Sequence, residues 1–393
     1  MTIDNILTRT VDKILPTKPG LKTLMQKKKI RLYIGIDPTS TNLHLGHTVG
    51  IRKLQEFADA GHEAILLFGT GTTLVGDPSL RDNTRKLISL KEVKANMKTW
   101  KQQVKSIINF NNVKIMENGD WLTKLTLQDI IRIGSKITAV QLFKRDSFQR
   151  RIKAGNTVWY HETMYPLMQG YDSVVMDVDL ELGGTDQEFN MLVGRDLQKK
   201  FNNREKFVLM FKLLPGTDGK KMSKSANNCI WLTDSANDMF GKLMKVQDQL
   251  LPDYFEFFTD KPMEEIKQLK QDLKANKANP MNVKKKLALN ITSQFHGKIK
   301  AQAAQAHFEK VFQSRELPTK IPSFPLTKLS QTINIIDLLE KTQLVSSRSE
   351  AKRLIEQDGV KLNQQKITQI SAKLTLKPND ILQVGKRKFI KFK

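Results

Sequence analysis

The stretch between residues 31 and 68 constrains the fold most, because two strand patterns there flank one helical pattern. Residues 31–36 predict a short buried strand, and residues 45–60 place their apolar side chains on one face of a helix. Residues 64–68 are all apolar, which is typical of a parallel strand that is covered on both faces. A strand–helix–strand unit of this kind predicts a Rossmann-like, doubly wound α/β domain with a parallel sheet.

A second α/β segment follows later in the chain. A strand is expected at 173–176 or slightly beyond, and a pair of glycines then leads into a helix at 186–199. After this segment the strand patterns disappear and helical patterns dominate, as at 263–273 and 282–311. The sequence therefore predicts an α-helical domain after the α/β domain.

The last part of the chain, residues 333–393, differs from the rest. Two short helical patterns, at 334–342 and 349–357, precede several short β patterns, which together predict a small α+β domain. Three prolines between residues 318 and 325 mark a linker before it. The predicted boundaries are 1–225 for the α/β domain, 226–316 for the helical domain, 317–332 for the linker and 333–393 for the last domain.

The charge of the chain favours a polyanionic partner. Lys and Arg number 65 against 40 Asp and Glu, which gives a formal net charge of +25. The last domain alone holds 13 Lys and Arg against 6 Asp and Glu, a surplus of 7. No segment has the pattern of an amphipathic membrane anchor, so nucleic acid is the favoured partner. A solvated, lysine-rich surface is the alternative that composition leaves open.

Cysteine content and hydropathy indicate a cytoplasmic protein with no membrane partner. The single cysteine, Cys229, excludes an intramolecular disulfide or a cysteine zinc cluster, and we expect a small core residue there. No run of about 18 apolar residues predicts a membrane span. The start of the chain includes Asp4 and Asp12 and lacks the apolar core of a secretory signal.

Two histidines follow the first strand, in the segment YIGIDPTSTNLHLGH at 33–47. Gly46 lies between them at a predicted helix start, where it leaves room for a planar base or a ribose. Unpaired backbone N–H groups at such a helix end suit phosphate, and His44 and His47 can donate to phosphate oxygens. Two ordinary helix-start histidines are the alternative. A metal site needs a third ligand that the sequence does not supply, so none is predicted.

A lysine-rich segment, KMSKS at 221–225, follows the turn signal Asp218-Gly219. Clustered lysines on a loop of this kind can close over a triphosphate as mobile positive charges. By itself the segment favours a lysine-rich surface loop over a catalytic one. Both motifs in this order, each at the end of α/β elements, indicate a nucleotide-binding enzyme.

The two motifs together resemble the HIGH and KMSKS signatures of class I aminoacyl-tRNA synthetases. The segments around them narrow the resemblance to the tyrosyl-tRNA synthetase family, particularly its bacterial type. Residues 333–393 resemble the small RNA-binding domain that is named after a ribosomal small-subunit protein, so the resemblance covers nearly the whole chain. The matching blocks are 33–47, VGDPS at 75–79, NGDW at 118–121, YPLMQGYD at 165–172 and GGTDQ at 183–187.

The resemblance implies a tyrosine–tRNA ligase activity in two steps. Tyrosine reacts with ATP, which brings Mg²⁺, to give tyrosyl-adenylate and pyrophosphate, and tyrosine is then transferred to the 3′ end of tRNA(Tyr). The resemblance also implies a homodimer. Two alternatives stay open: a tryptophanyl-tRNA synthetase, which shares the fold, and a non-catalytic RNA-binding protein derived from a synthetase. The tryptophan enzymes normally lack the C-terminal domain and the pair formed here by Tyr33 and Asp172.

The resemblance also implies which side chains hold tyrosine. Tyr33 and Asp172 would bind its phenol. Asp77, Tyr165 and Gln169 would meet its ammonium group. Tyr165, Gln169 and Asp172 are spaced four and three apart, which places them on one face of a helix, and a polar surface stripe is the alternative. The full set implied for tyrosine is Tyr33, Asp77, Asn118, Trp121, Tyr165, Gln169, Asp172 and Gln187.

For the nucleotide side the resemblance implies two overlapping sets. The chain departs from the family pattern at Thr73 and Leu80, where glycine is often found, so the local pocket geometry is expected to differ. Asp186 can also cap the helix that follows it, and the two roles can coexist. The residues implied for ATP are Gly35, Asp37, His44, Gly46, His47, Gly183, Gly184, Asp186, Gln187, Lys221, Met222, Ser223 and Lys224. Those implied for catalysis are Thr39, His44, His47, Arg81, Arg85, Lys221, Lys224 and Ser225.

Overall fold

A computed structural model describes residues 2–79, 88–220, 222, 228–313, 321–329, 332–345, 347–385 and 388–393. Contacts divide the chain into two compact units, Met1–Gln305 and Ala306–Lys393. The first unit contains the α/β elements together with the helices that follow them. The domain boundaries expected from the sequence, at 225, 316 and 332, stay predictions.

A six-stranded sheet forms the centre of the first unit. Its strands are β1 (Val11–Leu15), β2 (Arg31–Ile36), β3 (Glu63–Phe68), β4 (Val113–Glu117), β5 (Leu180–Gly184) and β6 (Phe207–Phe211). They lie in the order β1-β6-β5-β2-β3-β4. Neighbouring strands from β6 to β4 are parallel, whereas β1 pairs antiparallel with β6 at one edge. The strands expected at 31–36 and 64–68 are confirmed as β2 and β3, and the parallel α/β fold is confirmed with them.

The chain order creates a crevice at the carboxyl ends of β2 and β5. From β2 the chain adds β3 and β4 on one side, and it then returns to add β5 and β6 on the other side. The loops after β2 and β5 therefore lead away from the sheet in opposite directions. Open parallel α/β sheets bind their ligands in such a crevice, outside the carboxyl ends of the strands.

The strand expected at 173–176 is wrong, because these residues form the last turn of the helix Tyr160–Met176. A β-branched pair in this turn has the composition of a strand, but the helix packs closely against the helix Glu188–Asn202. Burial in that contact outweighs local strand propensity. Asp177 then adopts a φ of +47°, which ends the helix, and the strand follows at Leu180–Gly184.

Helices make up most of the rest of the first unit. The helix expected at 45–60 is observed as one 3-10 turn, Leu45–His47, followed by an α-helix. The helix expected at 282–311 is divided at Gly297, whose φ of +83° lies in the left-handed region that favours glycine. The α-helices that begin in this unit are Ile3–Ile6, Lys18–Lys27, Thr48–Asp59, Thr72–Val75, Leu90–Met97, Trp100–Val104, Gly119–Leu122, Leu127–Gly134, Ala139–Phe143, Asp146–Lys153, Tyr160–Met176, Glu188–Asn202, Ala236–Leu243, Leu251–Phe258, Met263–Lys274, Pro280–His296 and Lys298–Phe308.

The second unit has an apolar core of its own. Its helices Ile335–Lys341 and Arg348–Glu356 confirm the patterns at 334–342 and 349–357, and a π-helical turn at Glu309–Gln313 precedes them. Its strands are β7 (Ser323–Phe324), β8 (Ile333–Asn334), β9 (Val360–Leu362), β10 (Gln365–Lys366), β11 (Lys373–Leu374), β12 (Ile381–Val384) and β13 (Lys388–Phe392). Five of them form one sheet in the order β10-β9-β12-β13-β7, and β8 pairs with β11. The expected small α+β fold is confirmed.

Candidate active site

A cavity of about 740 Å³ opens at the carboxyl ends of β2 and β5. It lies where the strand order reverses, which is the position that this fold class uses for ligands. Most of the residues expected to bind substrates line it. These residues are Tyr33, Gly35, Asp37, Thr39, His44, Gly46, His47, Asp77, Asn118, Tyr165, Gln169, Asp172, Gly183, Gly184, Asp186, Gln187 and Met222.

Some of the expected residues do not line the described cavity. Trp121 lies behind it and donates a hydrogen bond to a residue that does line it. Of the lysine-rich segment, the described residues include Met222 alone. Arg81, Arg85, Lys221, Ser223, Lys224 and Ser225 lie outside the described residues, and so does Leu80.

A buried carboxylate, Asp172, forms part of the cavity wall. Asp172 is 2% exposed, and both of its carboxylate oxygens accept hydrogen bonds. Asn118 Nδ2 donates to one oxygen at 2.9 Å and Trp121 Nε1 donates to the other at 2.8 Å. Burial raises the pKa of Asp172 well above its usual value, and the two donors oppose that rise. The carboxylate is therefore a fixed acceptor at the cavity.

The hydroxyl of Tyr33 is a second buried polar group in this wall. Tyr33 Oη lies 3.0 Å from Ser173 Oγ, and either oxygen can be the donor. Burial raises the pKa of Tyr33 well above its usual value, and the negative charges of Glu181 and Asp172 add to the rise. The hydroxyl therefore keeps its proton throughout the physiological pH range.

Behind Tyr33 lies a chain of buried polar side chains that sequence reasoning missed. Lys206 Nζ donates to Ser173 Oγ at 2.8 Å and also to the carboxylate of Glu181. Gln169 Nε2 donates to the other oxygen of Glu181 at 3.0 Å. One sign of these buried polar side chains was present in the sequence, because Glu181 is a charged residue inside the otherwise apolar β5.

A second carboxylate, Asp77, is held at the cavity by three donors. These are the backbone N of Ser79 at 2.9 Å, Gln187 Nε2 at 2.9 Å and Arg145 Nη2 at 3.2 Å. Arg145 is only 4% exposed, and burial lowers its pKa while the charge of Asp77 opposes that change. Sequence reasoning missed Arg145, because no pattern distinguishes it from the other arginines nearby.

The expected polar face of the helix Tyr160–Met176 turns into the cavity. Tyr165, Gln169 and Asp172 all line the cavity, so they do not form a surface stripe. Tyr165 Oη donates to Asp37 Oδ2 at 2.9 Å. Burial raises the pKa of Tyr165 well above its usual value, and the charge of Asp37 adds to this effect. The polar face of this helix is thus hydrogen-bonded to Asp37, which follows β2, and to Glu181, which lies in β5.

The two histidines lie together at the start of the helix Thr48–Asp59. Their ring centroids are 3.8 Å apart, and the backbone N of His44 donates to His47 Nδ1 at 3.1 Å. The ring of His44 also makes an edge contact with Trp231, with centroids 5.8 Å apart. A Cβ at Gly46 would lie 3.0 Å from His44 Nδ1, so the ring position itself favours glycine there. Trp231 is a further neighbour that sequence reasoning missed.

Thr73, at which the chain departs from the family pattern, forms a side-chain hydrogen bond within its own turn. Thr73 Oγ1 donates to the backbone oxygen of Gly69 at 2.5 Å, and the residue is 1% exposed. It does not line the cavity, whereas its neighbour Thr72 does. Thr72 Oγ1 donates to Asp37 Oδ1 at 2.8 Å, so this turn supports the end of β2.

Two further properties concern the described part of the chain as a whole. No group of three or more His, Cys, Asp or Glu residues within it could hold a metal ion. None of its helices is long and apolar enough to cross a membrane. Cys229 is buried at 5% exposure, which confirms the expected core position.

Two protein families match the sequence. Residues 25–313 match the family described as "tRNA synthetases class I (W and Y)". Residues 314–390 match the family described as "Tyrosine--tRNA ligase SYY-like C-terminal domain". Together the two matches extend over nearly the whole chain.

Curated relatives are similar over almost their full length. The tyrosine–tRNA ligase of Thermotoga maritima is 42% identical over 387 residues, which cover 98% of this chain and 95% of the relative. The tyrosine–tRNA ligase of Mannheimia succiniciproducens is 41% identical over 385 residues, which cover 98% of this chain and 96% of the relative. Both similarities therefore extend over nearly the whole of each chain.

Solved structures share the fold of the larger part of the chain. A C-terminally truncated mitochondrial tyrosyl-tRNA synthetase of Aspergillus nidulans has a TM-score of 0.65 at 23% identity, covering 77% of this chain and 91% of that one. The tyrosyl-tRNA synthetase of Archaeoglobus fulgidus, complexed with L-tyrosine, has a TM-score of 0.64 at 20% identity, covering 78% and 100%. The tryptophanyl-tRNA synthetase of Plasmodium falciparum also matches, with a TM-score of 0.57 at 16% identity, covering 73% and 80%. The fold alone therefore does not separate tyrosine from tryptophan enzymes.

The parallel sheet, the crevice between β2 and β5 and the match over residues 25–313 define a class I tRNA synthetase. Within that class, the chain belongs to the tyrosine–tRNA ligase family, to which both the full-length relatives and the C-terminal match point. The tryptophanyl alternative and the non-catalytic alternative are therefore not favoured.

Proposed function

We propose that the chain forms tyrosyl-adenylate from tyrosine and ATP and then transfers tyrosine to tRNA(Tyr). The observation that carries this proposal is the buried carboxylate of Asp172, which lines the cavity between two fixed donors. A carboxylate in this position can accept the proton of a phenol. A phenyl ring would leave that buried acceptor without a proton, which is unfavourable.

Tyrosine lies along the polar face of the helix Tyr160–Met176 in this proposal. Its phenol lies between Tyr33 and Asp172, and its ammonium group lies at Asp77, Tyr165 and Gln169. Gln169 Oε1 supports this arrangement, because it is buried and accepts no hydrogen bond from the described residues. An ammonium group supplies the donor that this oxygen lacks.

ATP lies in the crevice between β2 and β5. Gly35, Gly183 and Gly184 line the cavity, and residues without a Cβ leave room for the ribose and the adenine. Asp186 accepts hydrogen bonds from the ribose hydroxyl groups. Gln187 lies at the junction between the substrate carboxylate and the α-phosphate, beside Asp77. Asp37 and His47 complete the expected nucleotide contacts.

The leaving pyrophosphate is stabilised at the other end of the crevice. Thr39 and His44 line the cavity there, and both can donate hydrogen bonds to phosphate oxygens. Arg81, Arg85 and the lysine-rich segment, with Lys221 and Lys224, are assigned to the same end by the family resemblance.

The first chemical step is an in-line displacement. A carboxylate oxygen of tyrosine attacks the α-phosphorus, the bond to the bridging oxygen breaks, and pyrophosphate leaves with the electron pair. The nucleophile is already an anion, so no protein base is needed, and catalysis consists of positioning and charge stabilisation. Mg²⁺ enters with ATP as part of the substrate and neutralises phosphate charge.

The second step transfers tyrosine to RNA. The terminal ribose hydroxyl of tRNA(Tyr) attacks the carbonyl carbon of the adenylate, and AMP leaves. The positive surplus of residues 333–393 supports a role of this segment in holding RNA through its phosphates. Because ribosomes consume the charged tRNA, we place the enzyme in the cytoplasm.

A stretch of the chain with many exposed apolar side chains supports a homodimer. Among the described residues, 13 large apolar side chains are exposed, and 8 of them fall between residues 127 and 160. Leu127 is 73% exposed, Val140 is 69% exposed and Trp159 is 55% exposed. Concentrated apolar exposure marks protein interfaces, so we assign this stretch to the contact with a second copy of the chain.

A charging assay tests the proposed function. The full chain is incubated with ATP, Mg²⁺ and labelled tyrosine or tryptophan, together with either tRNA(Tyr) or tRNA(Trp). We expect label on tRNA(Tyr) with tyrosine and background levels in the three other combinations. Label from tryptophan on tRNA(Trp), or no label on any RNA, would reject the proposal.

A further inference from the structure

A buried chain of hydrogen bonds connects the hydroxyl of Tyr33 to a lysine outside the substrate cavity. Lys206 Nζ donates to Ser173 Oγ at 2.8 Å, and Ser173 Oγ lies 3.0 Å from Tyr33 Oη. Tyr33 lines the cavity, whereas Ser173 and Lys206 do not. The lysine reaches the cavity through these two hydroxyl groups and, on its other side, through Glu181, which lines the cavity and accepts a hydrogen bond from Gln169.

The buried position of Lys206 is energetically unfavourable for a positive charge. Its side chain is 0% exposed and pairs with the carboxylate of Glu181, whose side chain is 2% exposed. Burial lowers the pKa of Lys206, and the charge of Glu181 opposes that change. Apolar side chains often replace buried ion pairs without loss of stability, so stability alone gives no reason for this pair.

The ammonium group has little freedom to move from this place. A Cβ at Gly194, on the helix Glu188–Asn202, would lie 2.7 Å from Lys206 Nζ and 3.1 Å from Ser173 Oγ. The packed helices thus confine the ammonium group between Ser173 and Glu181. Its hydrogen bond to Ser173 is consequently a fixed feature behind the cavity wall.

We propose that Lys206 and Ser173 orient the hydroxyl of Tyr33, so that its proton points at the phenol oxygen of bound tyrosine. This inference rests on the proposed tyrosine–tRNA ligase function and deepens it. Lys206 occupies one of the two lone pairs of Ser173 Oγ, and in this arrangement Ser173 directs its own proton to Tyr33 Oη. Tyr33 then accepts from Ser173 and donates into the cavity. Ser173 and Lys206 are positioning residues that determine specificity.

The hydrogen-bonding capacity of a phenol favours this orientation over the opposite one. A phenol has one proton to donate, and Asp172, whose carboxylate can only accept, takes that proton. If Tyr33 donated to Ser173 instead, the phenol would meet two acceptors with a single proton. One buried group would then lack a partner, which is unfavourable. With Tyr33 as donor, the phenol donates once and accepts once.

The substitution Ser173→Ala tests the proposal, because it removes the orienting hydroxyl and suits a helix. Pyrophosphate exchange at varied amino-acid concentration gives kcat and KM for tyrosine and for phenylalanine. We expect kcat/KM for tyrosine to fall about tenfold, mainly through KM, since one net hydrogen bond is lost. The value for phenylalanine should stay within about twofold, because its ring makes no such bond. Discrimination between the two amino acids then falls by the same factor.

A double-mutant cycle separates orientation from general damage to the fold. In a Tyr33→Phe background there is no hydroxyl to orient, so Ser173→Ala should change kcat/KM for tyrosine by less than about twofold. The paired substitution Lys206→Met with Glu181→Gln removes the ammonium group without leaving a buried charge. It should reduce discrimination as Ser173→Ala does. Lys199→Met, at a side chain that is 51% exposed, is the matched control and should change nothing.

Two results would overturn the inference. One is an equal loss for tyrosine and phenylalanine in Ser173→Ala. The other is an undiminished effect of Ser173→Ala in the Tyr33→Phe background. Failure of the unaltered enzyme to exchange pyrophosphate with tyrosine is a different result, because it would remove the proposed function and the inference together.

Discussion

Trp121 Nε1 donates to Asp172 Oδ1 at 2.8 Å, although only the aspartate lines the cavity. Asn118 Nδ2 donates to the other oxygen at 2.9 Å. With both oxygens engaged, the carboxylate cannot turn freely, and its remaining lone pairs keep fixed directions. In the proposed function, selection of tyrosine therefore depends on an acceptor that is oriented before the substrate arrives, and on the two side chains that orient it.

Replacing Asp172 by its amide should weaken tyrosine activation selectively. Asp172→Asn keeps the shape, but its NH₂ group faces the donors of Asn118 and Trp121 and the charge is lost. We expect kcat/KM for tyrosine to fall about 10- to 100-fold, because a hydrogen bond to a charged group is removed. Pyrophosphate exchange measures the change, and Asp196→Asn at an exposed position is the control. Near-normal kinetics in Asp172→Asn would remove the specificity assignment.

Activity should depend on the protonation of Asp172. Burial raises the pKa of this carboxyl, so its proton returns at a higher pH than in an exposed aspartate. Only the ionised form accepts the phenol proton, and that form is lost as pH falls through the raised pKa. We therefore expect kcat/KM for tyrosine to decrease on acidification, starting above the usual titration range near about pH 4. An identical decrease in Asp172→Asn would assign the titration to another group.

Arg145 should affect binding of tyrosine more than the chemical step. Arg145→Met removes one of the three donors that hold Asp77, while Ser79 and Gln187 remain. A less constrained carboxylate meets the ammonium group less well, so KM for tyrosine should rise about tenfold with little change in kcat. Arg150→Met, an exposed neighbour, is the control. A fall in kcat at unchanged KM would argue against this role.

The positively charged side chains of the second unit should contribute to RNA binding and not to tyrosine activation. Lys352 and Lys377 are exposed, and Lys352→Glu together with Lys377→Glu reverses two charges. We expect kcat/KM for tRNA to fall about tenfold at low salt, with a weaker dependence on salt concentration, because phosphate contacts are lost. Tyrosine-dependent pyrophosphate exchange should stay unchanged. Lys27→Glu in the first unit is the control, and an equal effect there would indicate a non-specific response to charge.

The exposed apolar side chains between residues 127 and 160 should hold two copies of the chain together. Leu127→Asp with Val140→Asp places two charges at side chains that are 73% and 69% exposed. Charges buried in an interface oppose association, so the variant should sediment as a monomer where the unaltered chain is a dimer. Ile299→Asp, at an 84% exposed position, is the control and should remain dimeric. A monomeric unaltered chain at micromolar concentration would contradict the dimer.

The sequence predicted the elements whose pattern is local and missed those that depend on packing. The apolar runs of β2 and β3 were sufficient for their strands, and the spacing of Tyr165, Gln169 and Asp172 was sufficient for a polar helix face. The short edge strand β1 was not predicted, because its mixed polar and apolar pattern has no distinct period. Residues 173–176 were assigned to a strand because local composition cannot report the helix packing that decides their structure.

Residues of the site that depend on packing were also missed from the sequence. The segments that resemble the family signatures led directly to the residues that line the cavity, because each segment is contiguous in the chain. Arg145 and Lys206 were missed, because a buried cation is distinguished only by the partners that the fold brings to it. Asp77 and Glu181 are those partners, and they lie 68 and 25 residues away in sequence. Spacing within a short window cannot reveal such pairs.

Amino-acid-dependent exchange of labelled pyrophosphate into ATP is the most direct measurement. The full chain is tested with tyrosine, tryptophan and phenylalanine under identical conditions, so that RNA binding plays no part. We predict rapid exchange with tyrosine, far slower exchange with phenylalanine and a background rate with tryptophan, because Asp172 and Tyr33 are proposed to bind a phenol. Exchange driven by tryptophan, or exchange with none of the three amino acids, would contradict this account of the site.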